Sequence, residues 1–155
     1  MTDPATVVSA SGVSPALRPA QWWLAAACRV AVGGFFVWTG VLKAWDPGLF
    51  LLAVRSYQLV GDPWAAIVAL GLPWLEIVAG LALVTGLARR GGALVVGSSL
   101  IFFIVVLSVS WARGLDIDCG CFGRGENHTD YPLHLLLNAG LLSALAFGMR
   151  SGRRG

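Results

Sequence analysis

Charged residues are scarce in this sequence. Only 12% of its 155 residues are Asp, Glu, Lys or Arg, whereas 57% are hydrophobic and the mean hydropathy is +0.75. These values lie far outside the composition of ordinary soluble domains. The sequence also lacks a basic patch with interleaved aromatic residues, so its net charge of +3 does not indicate a nucleic-acid partner. This composition predicts a protein that sits in a lipid bilayer.

The first 20 residues lack the features of a secretory signal peptide. They are rich in Ser, Ala, Thr and Pro, with neither a basic start nor a recognisable cleavage site. We interpret residues 1–20 as a short disordered tail in the cytoplasm and residues 151–155 as a second cytoplasmic tail. Residues 21–150 are then a single membrane domain.

Four apolar runs in that domain are long enough to cross a bilayer, which takes roughly 20 residues, and the seven Trp are typical of membrane interfaces. A shorter apolar segment lies between two Asp-Pro pairs, a pattern that starts helices. We therefore expect Asp46 to open a short helix at the membrane surface and Asp62 to open the second span. The predicted fold is an all-α membrane protein, a four-transmembrane-helix bundle with one short interfacial helix. The predicted spans are about 22–45, 64–86, 91–112 and 132–149.

The Lys and Arg residues near the span ends predict the orientation. Six lie on the side of both termini and four on the other side: Arg18, Arg89, Arg90, Arg150, Arg153 and Arg154, against Lys43, Arg55, Arg113 and Arg124. Because positive residues favour the cytoplasmic side, both termini are predicted to be cytoplasmic. The loop between the third and fourth spans is then extracytoplasmic, in a bacterial plasma membrane that the chain crosses several times.

That loop, "DIDCGCFGRGENHTD" at 116–130, contains two cysteines separated only by Gly120. A bent segment can bring the Cα atoms of Cys119 and Cys121 within the distance that a disulfide needs, about 4.4–6.8 Å. Such a tight ring would be strained and would exchange readily, which favours an electron carrier. Two alternatives stay open: a structural constraint or a pair of buried free thiols, and a metal site. The metal site would combine both cysteines with His128 and His134, although their spacing matches no common zinc pattern.

Ionisable residues also occur inside the predicted spans, where they usually face the bundle interior. Arg29 and Lys43 share one face of the first span with small residues, and Glu76 lies on a similar face of the second. Counting from the span ends places Arg29 roughly 10 Å from the cytoplasmic end and Glu76 roughly 18 Å from the outer end of a core about 30 Å thick. An ion pair between Arg29 and Glu76 is therefore expected, either structural or functional. A functional pair would handle protons or bind a quinone head group.

Lys43 lies near the outer end of the first span, beside the surface helix that carries Tyr57. There its charge would favour the thiolate form of a loop cysteine, whereas Asp116 and Asp118 would oppose it. The alternative for Lys43 is that it merely extends to the membrane interface. Two further expectations concern other polar positions. Cys28 is expected to be a packing residue of the first span. Asn138 is expected to form a hydrogen bond with another helix.

Several of these positions together resemble the MauE family of methylamine utilisation, part of the wider DoxX-like group of four-helix membrane proteins. The resemblance covers roughly residues 22–147, and its most specific part is "CGCFG" at 119–123. The other positions that carry it are Arg29, Gly33, Gly40, Lys43, Asp46-Pro47, Phe50, Tyr57, Leu72-Pro73, Glu76, Gly80 and Arg113-Gly114. The resemblance implies a redox-associated membrane protein. The type family is linked to maturation of the disulfide-rich small subunit of methylamine dehydrogenase, alongside a thioredoxin-like periplasmic partner, but that client does not carry over to this chain.

The predicted function is that of a membrane thiol-disulfide redox protein. Cys119, Cys121 and Lys43 are the candidate catalytic residues, while Arg29, Glu76 and Tyr57 are the candidate cofactor-binding residues. The Cys-Gly-Cys pair would exchange electrons with a thioredoxin-like protein or a disulfide-containing client, and quinone is the candidate membrane carrier. The alternative is a non-catalytic membrane scaffold, or a metal-delivery protein, for a periplasmic maturation factor.

Overall fold

The computed structural model describes residues 19–115 and 130–150, and these residues form five helices. Four helices are long and one is short, as the composition predicts. They are α1 (Pro19–Trp45), α2 (Pro47–Ser56), α3 (Trp64–Thr85), α4 (Arg89–Ala112) and α5 (Tyr131–Arg150). Residues 19 and 20 of the predicted N-terminal tail belong to α1, whereas the rest of both predicted tails and both loop cysteines lie outside the described residues.

The surface of the bundle is that of a membrane protein. Helices α1, α3, α4 and α5 are each long and apolar enough to cross a bilayer. All seven Trp are exposed, from 47% at Trp22 to 87% at Trp45. A soluble domain does not leave so many aromatic rings in water, so lipid must cover them. The prediction of an all-α membrane helix bundle is confirmed.

The four long helices pack around one apolar core. α1 contacts α3 and α5, and α4 contacts the same two helices on the other side. The core takes residues from all four: Val32, Phe36, Ala79, Leu83, Val96, Leu100 and Leu145. The short helix α2 packs on the start of α3, where Phe50, Ala53 and Val54 are buried against Ala65 and Ala69.

The two Asp-Pro pairs behave differently. Asp46 caps α2 as predicted, since its carboxylate accepts a hydrogen bond from the Leu49 backbone N–H at 3.0 Å. The same prediction for Asp62 is wrong. Its carboxylate binds the Arg55 guanidinium instead, with Nη2 and Oδ2 2.6 Å apart, and Pro63 occupies the N-cap of α3 without a side-chain cap.

Candidate functional site

A buried ion pair lies between α1 and α3. The ammonium of Lys43 donates to both carboxylate oxygens of Glu76, with Nζ 2.8 Å from Oε1 and 2.7 Å from Oε2. The exposed fraction is 4% for Lys43 and 1% for Glu76. Charges so fully removed from solvent are rare unless they are paired. Neither charge serves as a surface anchor, so the alternative that Lys43 extends to the membrane interface is wrong.

Close packing of α1 on α3 sets the level at which these side chains meet. A Cβ added to Gly80 would come within 2.6 Å of the Gly33 carbonyl oxygen, and one added to Gly40 within 2.9 Å of the Pro73 carbonyl oxygen. Only glycine allows the two backbones to approach this closely. Gly33 therefore faces Gly80, while Gly40 faces Pro73.

Side-chain direction then brings Lys43 and Glu76 together. Helical side chains lean toward the N-terminus of their own helix, and α1 and α3 run in opposite directions. Lys43 leans back toward the level of Gly40, and Glu76 leans back toward Pro73. Because Gly40 faces Pro73, the two charges converge.

The predicted pair between Arg29 and Glu76 is wrong. In the observed register Arg29 is level with Val84, about 12 Å along α3 from Glu76, and the two side chains lean away from each other. Arg29 instead faces α5, where a Cβ added to Gly148 would lie 3.1 Å from the Arg29 Cβ. Its Nε is buried and has no hydrogen-bond partner among the described residues. The prediction failed because it matched the helix ends rather than the glycine contacts.

Two aromatic rings complete the surroundings of the Lys43 ammonium. Its Nζ lies 5.5 Å from the centre of the Phe50 ring and 5.1 Å from that of the Phe103 ring. A cation at these distances is attracted to the negative face of an aromatic ring. The rings also exclude water, so Glu76 supplies the negative charge that balances Lys43.

The ion pair lines a pocket with mostly apolar walls. Its empty volume is about 520 Å³ including the open mouth, and its enclosed part is small. Tyr57 lines the same pocket, so three of the predicted site residues come together, whereas Arg29 is not among the lining residues. The polar residues of the wall are Thr39, Lys43, Tyr57, Glu76, His134 and Asn138. An apolar pocket with a few convergent polar groups is typical of a small-molecule site.

Two residues of α5 in this wall were predicted differently. Asn138 does not bond another helix, because its Nδ2 donates to the His134 carbonyl one turn earlier at 2.7 Å. His134 was predicted either to bind a metal or, more simply, to border the cysteine-containing loop. Its ring is buried in the first turn of α5, with Nδ1 3.1 Å from the Asp130 carbonyl oxygen. Sequence reasoning missed its place beside the ion pair, since nothing in the pattern relates α5 to α1.

The pocket lies at the end of the bundle to which the cysteine-containing segment is joined. That segment leaves the described structure at Leu115 and returns at Asp130. These two points are held together because the Tyr131 hydroxyl donates to the Leu115 carbonyl. The Tyr131 ring also stacks on Trp111, with ring centres 6.3 Å apart. Close by, Arg113 donates to the Tyr57 carbonyl at 3.4 Å.

The cysteines themselves lie outside the described residues, as do His128, Asp116 and Asp118. Within residues 19–115 and 130–150, no group of three or more His, Cys, Asp or Glu is placed to hold a metal ion. Three members of the candidate metal set are outside that range, so the metal alternative stays open. The third cysteine, Cys28, is a partly buried free thiol in α1.

The site therefore consists of an enclosed pair of opposite charges, a histidine and a tyrosine in an apolar pocket. Such an arrangement can bind the polar head of an otherwise apolar molecule, or exchange protons with it. A signal for the pairing was present in the sequence. Gly33 and Gly40 have the same seven-residue spacing as Pro73 and Gly80, and an antiparallel match of these pairs gives the observed register.

This sequence is similar to those of known proteins. A family model described as methylamine utilisation protein MauE matches residues 21–151. The methylamine utilization protein MauE of Methylorubrum extorquens is 36% identical over 101 residues, which cover 64% of this chain and 54% of that relative. The chain thus spans about half the length of the curated relative. No solved structure matches the chain. Because the family model extends over all four long helices and the segment that joins the last two, the chain belongs to the MauE family of membrane proteins.

Proposed function

We propose that this chain carries out thiol-disulfide exchange in the membrane, as a component of methylamine utilisation. The family and the curated relative both bear the name of that process. The proposed partner is a thioredoxin-like protein or a disulfide-containing client outside the cytoplasm. The proposal places both termini in the cytoplasm, as the six-to-four distribution of positive residues favours.

One observation carries the proposal. The segment that contains Cys119 and Cys121 is joined to the bundle at the end that holds the ion-pair pocket. Covalent geometry limits its reach, because an extended residue spans at most about 3.6 Å, so the Cα of Cys119 stays within about 14 Å of that of Leu115. A pocket with a few polar groups inside the membrane bundle, and a cysteine-containing segment joined to the same end of that bundle, are the two parts that an electron relay needs.

The chemistry balances as a two-electron exchange. A client thiolate attacks the Cys119–Cys121 disulfide, which releases one loop thiol and forms a mixed disulfide with the other loop cysteine. The second client thiol then attacks this mixed disulfide and releases that loop cysteine as a thiol. The client gains a disulfide and the loop becomes a dithiol. Closing the loop disulfide again would release two electrons and two protons, and a quinone bound at the pocket would supply the acceptor for both by becoming a quinol. The same steps in reverse would reduce a client.

The pocket residues suit the polar end of that carrier. Lys43 can donate to a carbonyl oxygen, while Glu76 balances its charge and can accept a proton. Tyr57 lies in the same wall, and its backbone carbonyl accepts a hydrogen bond from Arg113. Arg29 does not line this pocket, so we assign it no part in carrier binding.

The test is thiol trapping in membranes, followed by non-reducing electrophoresis. Cys119→Ser and Cys121→Ser should each abolish exchange without lowering protein abundance, and each should accumulate a mixed disulfide because the resolving thiol is missing. Cys28→Ser, in α1, is the matched control and should behave like the wild type.

Other outcomes point to the alternatives. Loss of abundance in both loop variants would indicate a structural staple. Metal that copurifies in a fixed ratio, with equal damage from His134→Ala, would indicate a metal site. Free thiols under oxidising conditions, with no mixed disulfide from either variant, would contradict the relay and leave a scaffold role.

A further inference from the structure

Among residues 19–115 and 130–150, no carboxylate compensates the positive charge at the opposite end of the bundle. Helix α4 begins with Arg89 and Arg90, has no acidic residue in its first turn and has no side-chain cap. Cations at a helix N-terminus oppose the helix dipole, which already places positive charge there. A sequence chosen only for helix stability would place Asp or Glu at these positions.

A third arginine adds to this charge. Arg29 lies on α1 beside Gly148 of α5, and Arg89 is near enough to act on it electrostatically. The Arg89 guanidinium is folded against the turn before α4, since a Cβ added to Gly86 would lie 3.0 Å from its Nε. The Arg29 Nε is itself buried and has no hydrogen-bond partner within the described ranges.

The described part of the chain offers no carboxylate to this end. Its four acidic residues lie elsewhere. Asp46, Asp62 and Asp130 flank helix ends on the opposite side of the bundle, and Glu76 is bound to Lys43. Any anion that balances the three guanidinium groups must therefore come from outside these residues.

An open groove starts at these arginines and runs between α4 and α5. It has an empty volume of about 2060 Å³ including its mouth, and its walls beyond Arg89 and Arg90 are apolar. Leu94 in its wall is 75% exposed, and Leu87 at its start is 90% exposed. Because the groove is on the outer surface of a membrane bundle, the molecules available to fill it are lipids.

We propose that this groove binds an anionic phospholipid, whose phosphodiester lies against Arg89 and Arg90 while an acyl chain occupies the space between α4 and α5. Charge complementarity selects the headgroup, and the apolar walls accept the chain. Arg29 strengthens the positive potential behind the headgroup. The site is independent of the proposed redox function and lies at the other end of the molecule.

The test measures lipid binding to the purified full-length protein in detergent by native mass spectrometry. Phosphatidylglycerol should bind more tightly than phosphatidylcholine. An arginine near an anionic surface contributes about fivefold in affinity, so Arg89→Gln should weaken phosphatidylglycerol binding about fivefold and the double change with Arg90→Gln about 30-fold. Ala146→Phe, at an exposed groove position, should weaken binding without altering charge.

Arg113→Gln is the control, because it removes one positive charge at the opposite end and should leave lipid binding unchanged. Equal loss from Arg113→Gln and Arg89→Gln would show that only net charge matters and would overturn the proposal. Equal binding of the two lipids would also overturn it. Displacement of the lipid by inorganic phosphate alone, or an unaffected Ala146→Phe variant, would reduce the site to a simple anion site and contradict the lipid assignment.

Discussion

Removing the buried Glu76 carboxylate tests directly which cation is its partner. Glu76→Leu leaves the Lys43 ammonium buried without a counter-charge. Breaking a buried pair in this way costs about 3–5 kcal/mol, a large part of the roughly 5–15 kcal/mol that holds a typical domain folded. We expect the upper part of that range for Glu76→Leu, because both hydrogen bonds are lost. Glu76→Gln should fall near the lower end, since its amide oxygen can still accept one of them.

A second substitution identifies the partner. Combining Glu76→Leu with Lys43→Met removes both charges and replaces them with apolar side chains of similar length, which is often neutral or stabilising. This double variant should recover most of the lost stability. Combining Glu76→Leu with Arg29→Leu should recover little, because Arg29 is about 12 Å away along the helix in the observed register.

The assay is protein level in membranes together with the midpoint of unfolding in detergent. Rescue by Arg29→Leu but not by Lys43→Met would refute the observed register. If the double variant with Lys43→Met is stable but no longer supports exchange by Cys119 and Cys121, the pair has a role in the chemistry. If it is both stable and active, the pair serves only the structure.

Three further predictions concern packing, capping and topology. Gly80→Ala should destabilise the bundle because its Cβ would lie 2.6 Å from a facing carbonyl oxygen, whereas Gly34→Ala, with nothing within 4 Å, should be neutral or slightly stabilising in the same unfolding assay. Asp46→Ala should cost about 1 kcal/mol through loss of the α2 cap, measured as a lower unfolding midpoint. A periplasm-active reporter should be inactive after Gly155 and active when inserted near Glu126; the reverse pattern would contradict the proposed orientation.

The fold class was predictable because it depends on quantities that add along the chain. Apolar run length decides how many helices can cross a bilayer, and local capping chemistry placed the start of α2 at Asp46. The same capping rule failed at Asp62, because a tertiary contact replaces the helix cap there. Its carboxylate binds Arg55, and a sequence pattern cannot show which of two nearby partners a side chain takes.

The ion pair was harder to predict from the sequence, because it depends on the register between two helices. Matching the ends of the first two spans assumes that both begin and end at the same membrane depth, and that assumption joined Arg29 to Glu76. The backbone contacts at Gly33 and Gly40 place Arg29 about 12 Å, or roughly two helical turns, from the level of Glu76. A shift of that size is enough to exchange one cation for another, because Lys43 then leans toward the carboxylate while Arg29 leans away. In a bundle with so few charges, the small residues that set the register therefore also decide which charges meet.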